Sequence, residues 1–191
     1  MSRRLVPCIG LLVWIVAAGE AVLYAEPTYV GVQRCASKTC HGAEILGNQF
    51  EMWQNTAHAK AYKTLGTDKA KEFASKAGLK DDPQKSPKCL KCHVTAYGVG
   101  KSSISDAFKA EDGIQCESCH GPGSDYISLK IMNRPKFKED RKGQQKLFLE
   151  AGGIMPTEKD CVRCHNKESP AYKGFAFAES LKKIAHPVPG K

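Results

Sequence analysis

Only six histidines occur in the 191 residues, and no apolar run is long enough to cross a membrane. The longest run, Leu5 to Ala18, falls short of the about 20 residues a span requires, and Glu20 stops its extension. Alternation of polar and apolar residues persists nowhere, which argues against a sheet beyond a short hairpin near Val94 to Ser103. No set of Lys, Tyr and His stands beside the cysteines in the manner of a catalytic constellation. What the chain does hold is nine cysteines, eight of them in pairs.

Each pair runs directly into a histidine: Cys35 and Cys40 into His41, Cys89 and Cys92 into His93, Cys116 and Cys119 into His120, Cys161 and Cys164 into His165. Two thiols add across the vinyl groups of a porphyrin, and the imidazole that follows reaches the iron, so each segment reads as a covalent haem attachment site. Four segments predict four c-type haems. Three are C-x-x-C-H, whereas CASKTCH has four residues between its cysteines. Zinc ribbons also use paired cysteines but need no histidine joined to each pair. A disulfide framework would not explain the histidines either.

Arg3 and Arg4, the apolar run, and small residues at Ala21 and Ala25 have the layout of a secretory leader. Residues 1–25 are therefore read as a signal peptide and residues 26–191 as one tetrahaem domain in the periplasm or otherwise exported. A membrane contact follows only if the leader stays uncleaved. Cys8 lies within the leader. Removing the leader takes the net charge from +9 to +8. Each oxidised haem with its two propionates adds about −1, for about +4 in the holoprotein. The basic charge is thus largely a counterweight to cofactors, and a nucleic-acid partner loses its support. Lysines between 59 and 91 and between 130 and 146 would steer an acidic redox partner or simply solvate the surface.

Four haems leave about 40 residues for each, too few for a conventional core, so the haems must be the interior and folding must depend on their attachment. The fold class expected is mainly α, with helices and loops wrapped around four stacked haems and little or no sheet. Helices are predicted over Ile45–Trp53, Thr56–Leu65, Thr67–Ala77 with Thr67 as cap and Gly78 as stop, from Ser124 to before Pro135, over Glu139–Ala151, and over Phe175–Ala185. Residues 81–88 read as a surface loop.

The dressing of the motifs, YVGVQRC, NTAHAKAY, KCLKCHVTAYG, GIQCESCHGPGS, CVRCHNKESP and a closing IAHP, resembles the tetrahaem cytochrome c-554 family over Tyr29 to Pro187. That resemblance implies periplasmic electron transfer, with a hydroxylamine-oxidoreductase-like donor as the family's known partner, and haems stacked in pairs. Six-coordinate iron in four haems needs eight axial ligands, and beyond the four motif histidines only His58 and His186 remain. By resemblance, both are distal ligands, and the haem on His93 is open and five-coordinate. The family's distal histidine for the first haem has no counterpart here: the stretch after the third motif offers Tyr126, Lys130 and Met132. Met132 as an axial ligand, an open first iron, or a ligand from a neighbouring subunit all remain.

Three functions follow. An electron carrier would meet redox proteins through transient, salt-sensitive contacts and break no substrate bond. A haem enzyme would use an open iron on small nitrogen species such as nitric oxide. A subunit of a larger multihaem assembly would borrow its missing ligands from an adjacent copy.

Overall fold

The computed structural model describes residues 25–186, and all but the last residue of the expected leader therefore lies outside the described residues. The helices are short because turn residues interrupt the chain often. They are α1 (Gln49–Gln54), α2 (Ala61–Thr64), α3 (Asp68–Lys76), α4 (Pro87–His93), α5 (Glu117–His120), α6 (Arg134–Glu139), α7 (Arg141–Glu150), α8 (Glu158–Val162) and α9 (Phe177–Ile184). Among the described residues no sheet forms, and a lone parallel bridge joins Tyr29 to Ile104. The mainly α class expected from the sequence is therefore the class observed.

Helix α3 shows how local chemistry sets the boundaries. The Thr67 side chain accepts from the backbone N–H of Ala70. At the other end Gly78, at φ +69°, lets its N–H reach the Ser75 carbonyl and the Leu79 N–H reach Ala74. That is the Schellman closure, which favours glycine at the left-handed position. Thr67→Ala is expected to cost α3 about 1 kcal/mol, seen as a lower thermal midpoint with the haem spectrum unchanged.

Three expectations require correction. No helix runs from Ser124 to Pro135; this stretch is a series of turns, and Pro135 lies in the first turn of α6, with the Asn133 side chain accepting from Lys136 N–H. Proline tolerates a helix start as readily as it ends one, because its missing N–H has no partner to lose there. Thr56–Leu65 is helical only at Ala61–Thr64, since the His58 carbonyl is taken by the N–H groups of Ala61 and Ile114. Val94–Ser103 is turn and 3-10 helix rather than hairpin. In addition, Ile45–Trp53 is broken by Asn48 at φ +45°, and the loop from residue 81 gives way to α4 at Pro87.

Very little apolar side chain is buried. Val30, Val32, Leu65, Ala74, Val94, Tyr126 and Phe148 make up the buried apolar set among the described residues, while Ile45 and Leu129 are 75% and 71% exposed. Buried polar groups do much of the joining. Gln115 accepts from the N–H of Val32 at 2.7 Å and donates to the Lys109 carbonyl at 2.8 Å. Its own N–H donates to the hydroxyl of Thr95, which meets the Ser118 hydroxyl at 2.7 Å. Glu117 accepts from the N–H groups of Val30 and Gly31. The N-terminal segment, the end of the second motif and the third motif are thereby held in one hydrogen-bonded unit, with buried donors and acceptors satisfied.

Candidate functional site

The motifs themselves are built on short helices, a placement the spacing alone did not announce. Helix α4 carries Cys89, Cys92 and His93, α5 carries Cys119 and His120 directly after Cys116, and α8 carries Cys161. Residues three apart on a helix share a face, which puts Cys89 and Cys92 on one side of α4. The longer first motif is closed differently. His41 N–H donates to the Cys35 carbonyl and Gly42 N–H to that of Ser37. A Cβ on Gly42 would stand 2.0 Å from the Ala36 carbonyl oxygen, so glycine permits the closure. All eight motif cysteines are half-buried and free of disulfides. Among the described residues no three His, Cys, Asp or Glu side chains converge to hold a metal ion, so the zinc alternative has no donor set.

Three of the four motif imidazoles are oriented by Nδ1. It lies 2.8 Å from the Ala61 carbonyl in His93, 3.2 Å from the Ile154 carbonyl in His120, and 3.2 Å from Gln49 Oε1 in His41. The amide of Gln49 is itself fixed by donation to the Leu46 carbonyl, which turns its oxygen toward His41. A carbonyl can only accept, so Nδ1 carries the proton and Nε2 keeps its lone pair. This is the form in which imidazole binds a metal. His165 is held instead by stacking on Phe175, at 4.8 Å and 18° between planes.

The remaining two histidines each face one of these. His58 lies 5.9 Å from His165 between ring centres, and His186 lies 5.9 Å from His120. Two imidazoles bound to opposite faces of one metal at about 2 Å per bond require a separation of roughly 6 Å. Burial, and then the neighbouring His165, lower the pKa of His58; burial lowers that of His165. For His120 burial dominates, the Ile154 carbonyl opposes it, and His186 and His41 add to it. Each shift favours the neutral ring that ligation needs. The ring contacts between imidazoles join His58 to His165 and His186 to His120, and His41 lies near enough to His120 to act on its titration.

Motif cysteines also meet across the chain. The thiols of Cys35 and Cys116 lie close enough to act on each other's titration, as do those of Cys92 and Cys164 and those of Cys119 and Cys161. The Cys164 thiol is pushed up to about 12, by burial first and Cys92 second. The motifs are therefore neighbours in the order first, third, fourth, second.

Tyr126 is turned away from any ligand role: its hydroxyl donates to the Gly121 carbonyl at 2.7 Å, and its ring packs edge-on against Phe148. Met132 is half-buried in a turn closed by its N–H on the Ser128 carbonyl. The segment stays near the first motif, since Arg134 Nη2 donates to the Ile45 carbonyl at 3.1 Å.

The family profile described as cytochrome c554 and c-prime matches residues 34–121. Cytochrome c-554 of Nitrosomonas europaea is 34% identical over 159 residues, 80% of this chain. The chain belongs to the cytochrome c-554 family. The solved structure of the reduced state of cytochrome c554 from Nitrosomonas europaea superposes with a TM-score of 0.53 at 28% identity, covering 83% of this chain and 79% of that one. The chain spans 64% of the length of the curated relative. The cofactor of this c-554 family member is haem c with its iron.

The sequence alone did not reveal Gln49, Ala61 and Ile154 as orienting groups, nor Thr95, Gln115 and Glu117 as the buried joints. Two of the orienting groups are backbone carbonyls and leave no residue signature. Glu117 occupies one of the free positions inside C-x-x-C-H, where spacing carries no information.

Proposed function

We propose that this protein is an exported four-haem electron carrier, with thioether bonds at Cys35, Cys40, Cys89, Cys92, Cys116, Cys119, Cys161 and Cys164 and with proximal ligands His41, His93, His120 and His165. His58 would hold an iron together with His165, and His186 together with His120. The facing imidazole pairs at 5.9 Å carry this reading. Two further features fit haem. Apolar side chains such as Ile45 and Leu129 stand exposed, and porphyrin faces would supply apolar surface of the kind they lack. Arg134 Nε is buried without an acceptor, and a propionate carboxylate would supply one.

Haem, when bound, supplies the one-electron ferric and ferrous couple. The chain fixes where it sits, orients the ligand rings through Nδ1 and dries their surroundings, the levers by which a protein tunes such a centre. The contacts Cys35 to Cys116, Cys119 to Cys161 and Cys164 to Cys92 support an order in which every attachment site has a near neighbour for electron exchange. Partners in this reading are redox proteins, including a donor of the hydroxylamine-oxidoreductase kind, that dock transiently with salt-sensitive rates.

A second reading draws on His93, whose Nδ1 is anchored on the Ala61 carbonyl and whose Nε2 is thereby left to hold an iron. An iron there would accept nitric oxide. Mass spectrometry and low-temperature paramagnetic resonance of the oxidised holoprotein test both. Four haem increments, two bis-histidine low-spin irons and at least one iron whose signal shifts with nitric oxide are expected. Fewer increments would defeat the four-haem reading, and no response to nitric oxide would defeat the open iron. Turnover of nitric oxide, rather than binding alone, would favour the enzyme.

A further inference from the structure

Inside the third motif, between Cys116 and Ser118, lies a carboxylate that forms no ion pair with a lysine or arginine among the described residues. Glu117 is 2% exposed. Its Oε1 accepts from Val30 N–H at 2.8 Å and Gly123 N–H at 2.7 Å, and its Oε2 accepts from Gly31 N–H at 2.8 Å. A Cβ on Gly123 would stand 3.0 Å from Oε1 and 2.9 Å from a Val30 methyl, so glycine there allows the amide to close in. Three amides donate and none accepts, which is the environment that suits an ionised carboxylate. No lysine or arginine pairs with it among the described residues. Its charge is felt by the thiols of both Cys35 and Cys116, the two that touch across the first and third motifs.

We propose that the buried Glu117 carboxylate sets the reduction potentials of the first and third haems, holding both low. This rests on haem attachment at Cys35 and Cys116. Ferric haem carries one more positive charge than ferrous haem, so a fixed anion in a poorly polarisable interior stabilises the oxidised state. Glu117 thereby distinguishes these two centres from the second and fourth, whose cysteines it does not reach in the interactions described.

Spectroelectrochemical titration of the holoprotein with and without Glu117→Gln is the test. Two of four midpoints are expected to rise, each by roughly a tenfold change in the reduction equilibrium, or about 59 mV for one electron. The other two should move less. A merely structural role predicts the opposite sign, because the glutamine NH2 would face Gly31 N–H, loosen the segment and admit water, which favours ferric iron. Glu117→Asp keeps the charge and should leave the midpoints near those of the parent. Unchanged or lowered midpoints in Glu117→Gln overturn the proposal. If this variant fails to load haem, the parent protein serves. Its third and fourth haems share bis-histidine ligation, so the third should titrate lower, and a third haem at or above the fourth overturns the proposal. Absence of haem at Cys35 or Cys116 by mass would instead count against the attachment reading beneath it.

Discussion

Produced without covalent haem attachment, the chain is expected to show no cooperative unfolding transition and no fixed aromatic environment by near-ultraviolet circular dichroism. The buried apolar side chains among the described residues are few and mostly small, with Tyr126 and Phe148 the only large rings. Ile45, Leu129, Leu149 and Met155 lie largely open to solvent. Burial worth about 25 cal/mol per Å2 cannot offset chain entropy when so little surface is removed from water. Attachment should therefore supply essentially the whole net stability, about 5 to 15 kcal/mol for a domain of this size, as metal binding does in small metallodomains. The measurement is circular dichroism and urea unfolding of chain made in a host lacking the attachment machinery, beside holoprotein. A compact, cooperatively unfolding colourless protein would refute this account of the interior.

His58→Gly should convert one bis-histidine iron to a high-spin centre, with added imidazole restoring the low-spin signal. The backbone has no reason to collapse, because the contacts that fix residue 58 are made by its carbonyl, to Ala61 and Ile114, and glycine keeps that carbonyl. His186→Gly should do the same to a different iron, the one on His120. Paramagnetic resonance of each single variant and of the double variant would show one, one and two conversions. An unchanged low-spin count in His58→Gly would remove His58 from the ligand set.

The sequence made legible what is local. Cysteine and histidine spacing marks the proposed attachment segments because thioether and ligand chemistry act within five or seven residues. Thr67 and Gly78 mark α3 because cap and stop are made within one turn. Gly152 and Gly153 follow the end of α7, and a Cβ on Gly153 would stand 2.3 Å from the Phe148 ring. Illegible parts are those decided at a distance. Nothing near residue 58 says that its ring will meet His165, or that its carbonyl will be claimed by Ile114 and end the helical reading of Thr56–Leu65. Pro135 was ambiguous for another reason: proline marks either end of a helix, and Asn133 as a cap was the clue that it marks a beginning. The Arg134 link to Ile45, which ties the segment after Met132 to the stretch following the first motif, is again a contact between distant segments.

The bonds from Val30, Gly31 and Val32 to Glu117 and Gln115 span 87, 86 and 83 positions. A nascent chain emerging from its amino end therefore exposes the first cysteine pair long before the residues that will clasp it exist. Contacts so far apart form late, since loop closure must precede them. The first pair is therefore closed over only when the third pair arrives, which orders assembly in time.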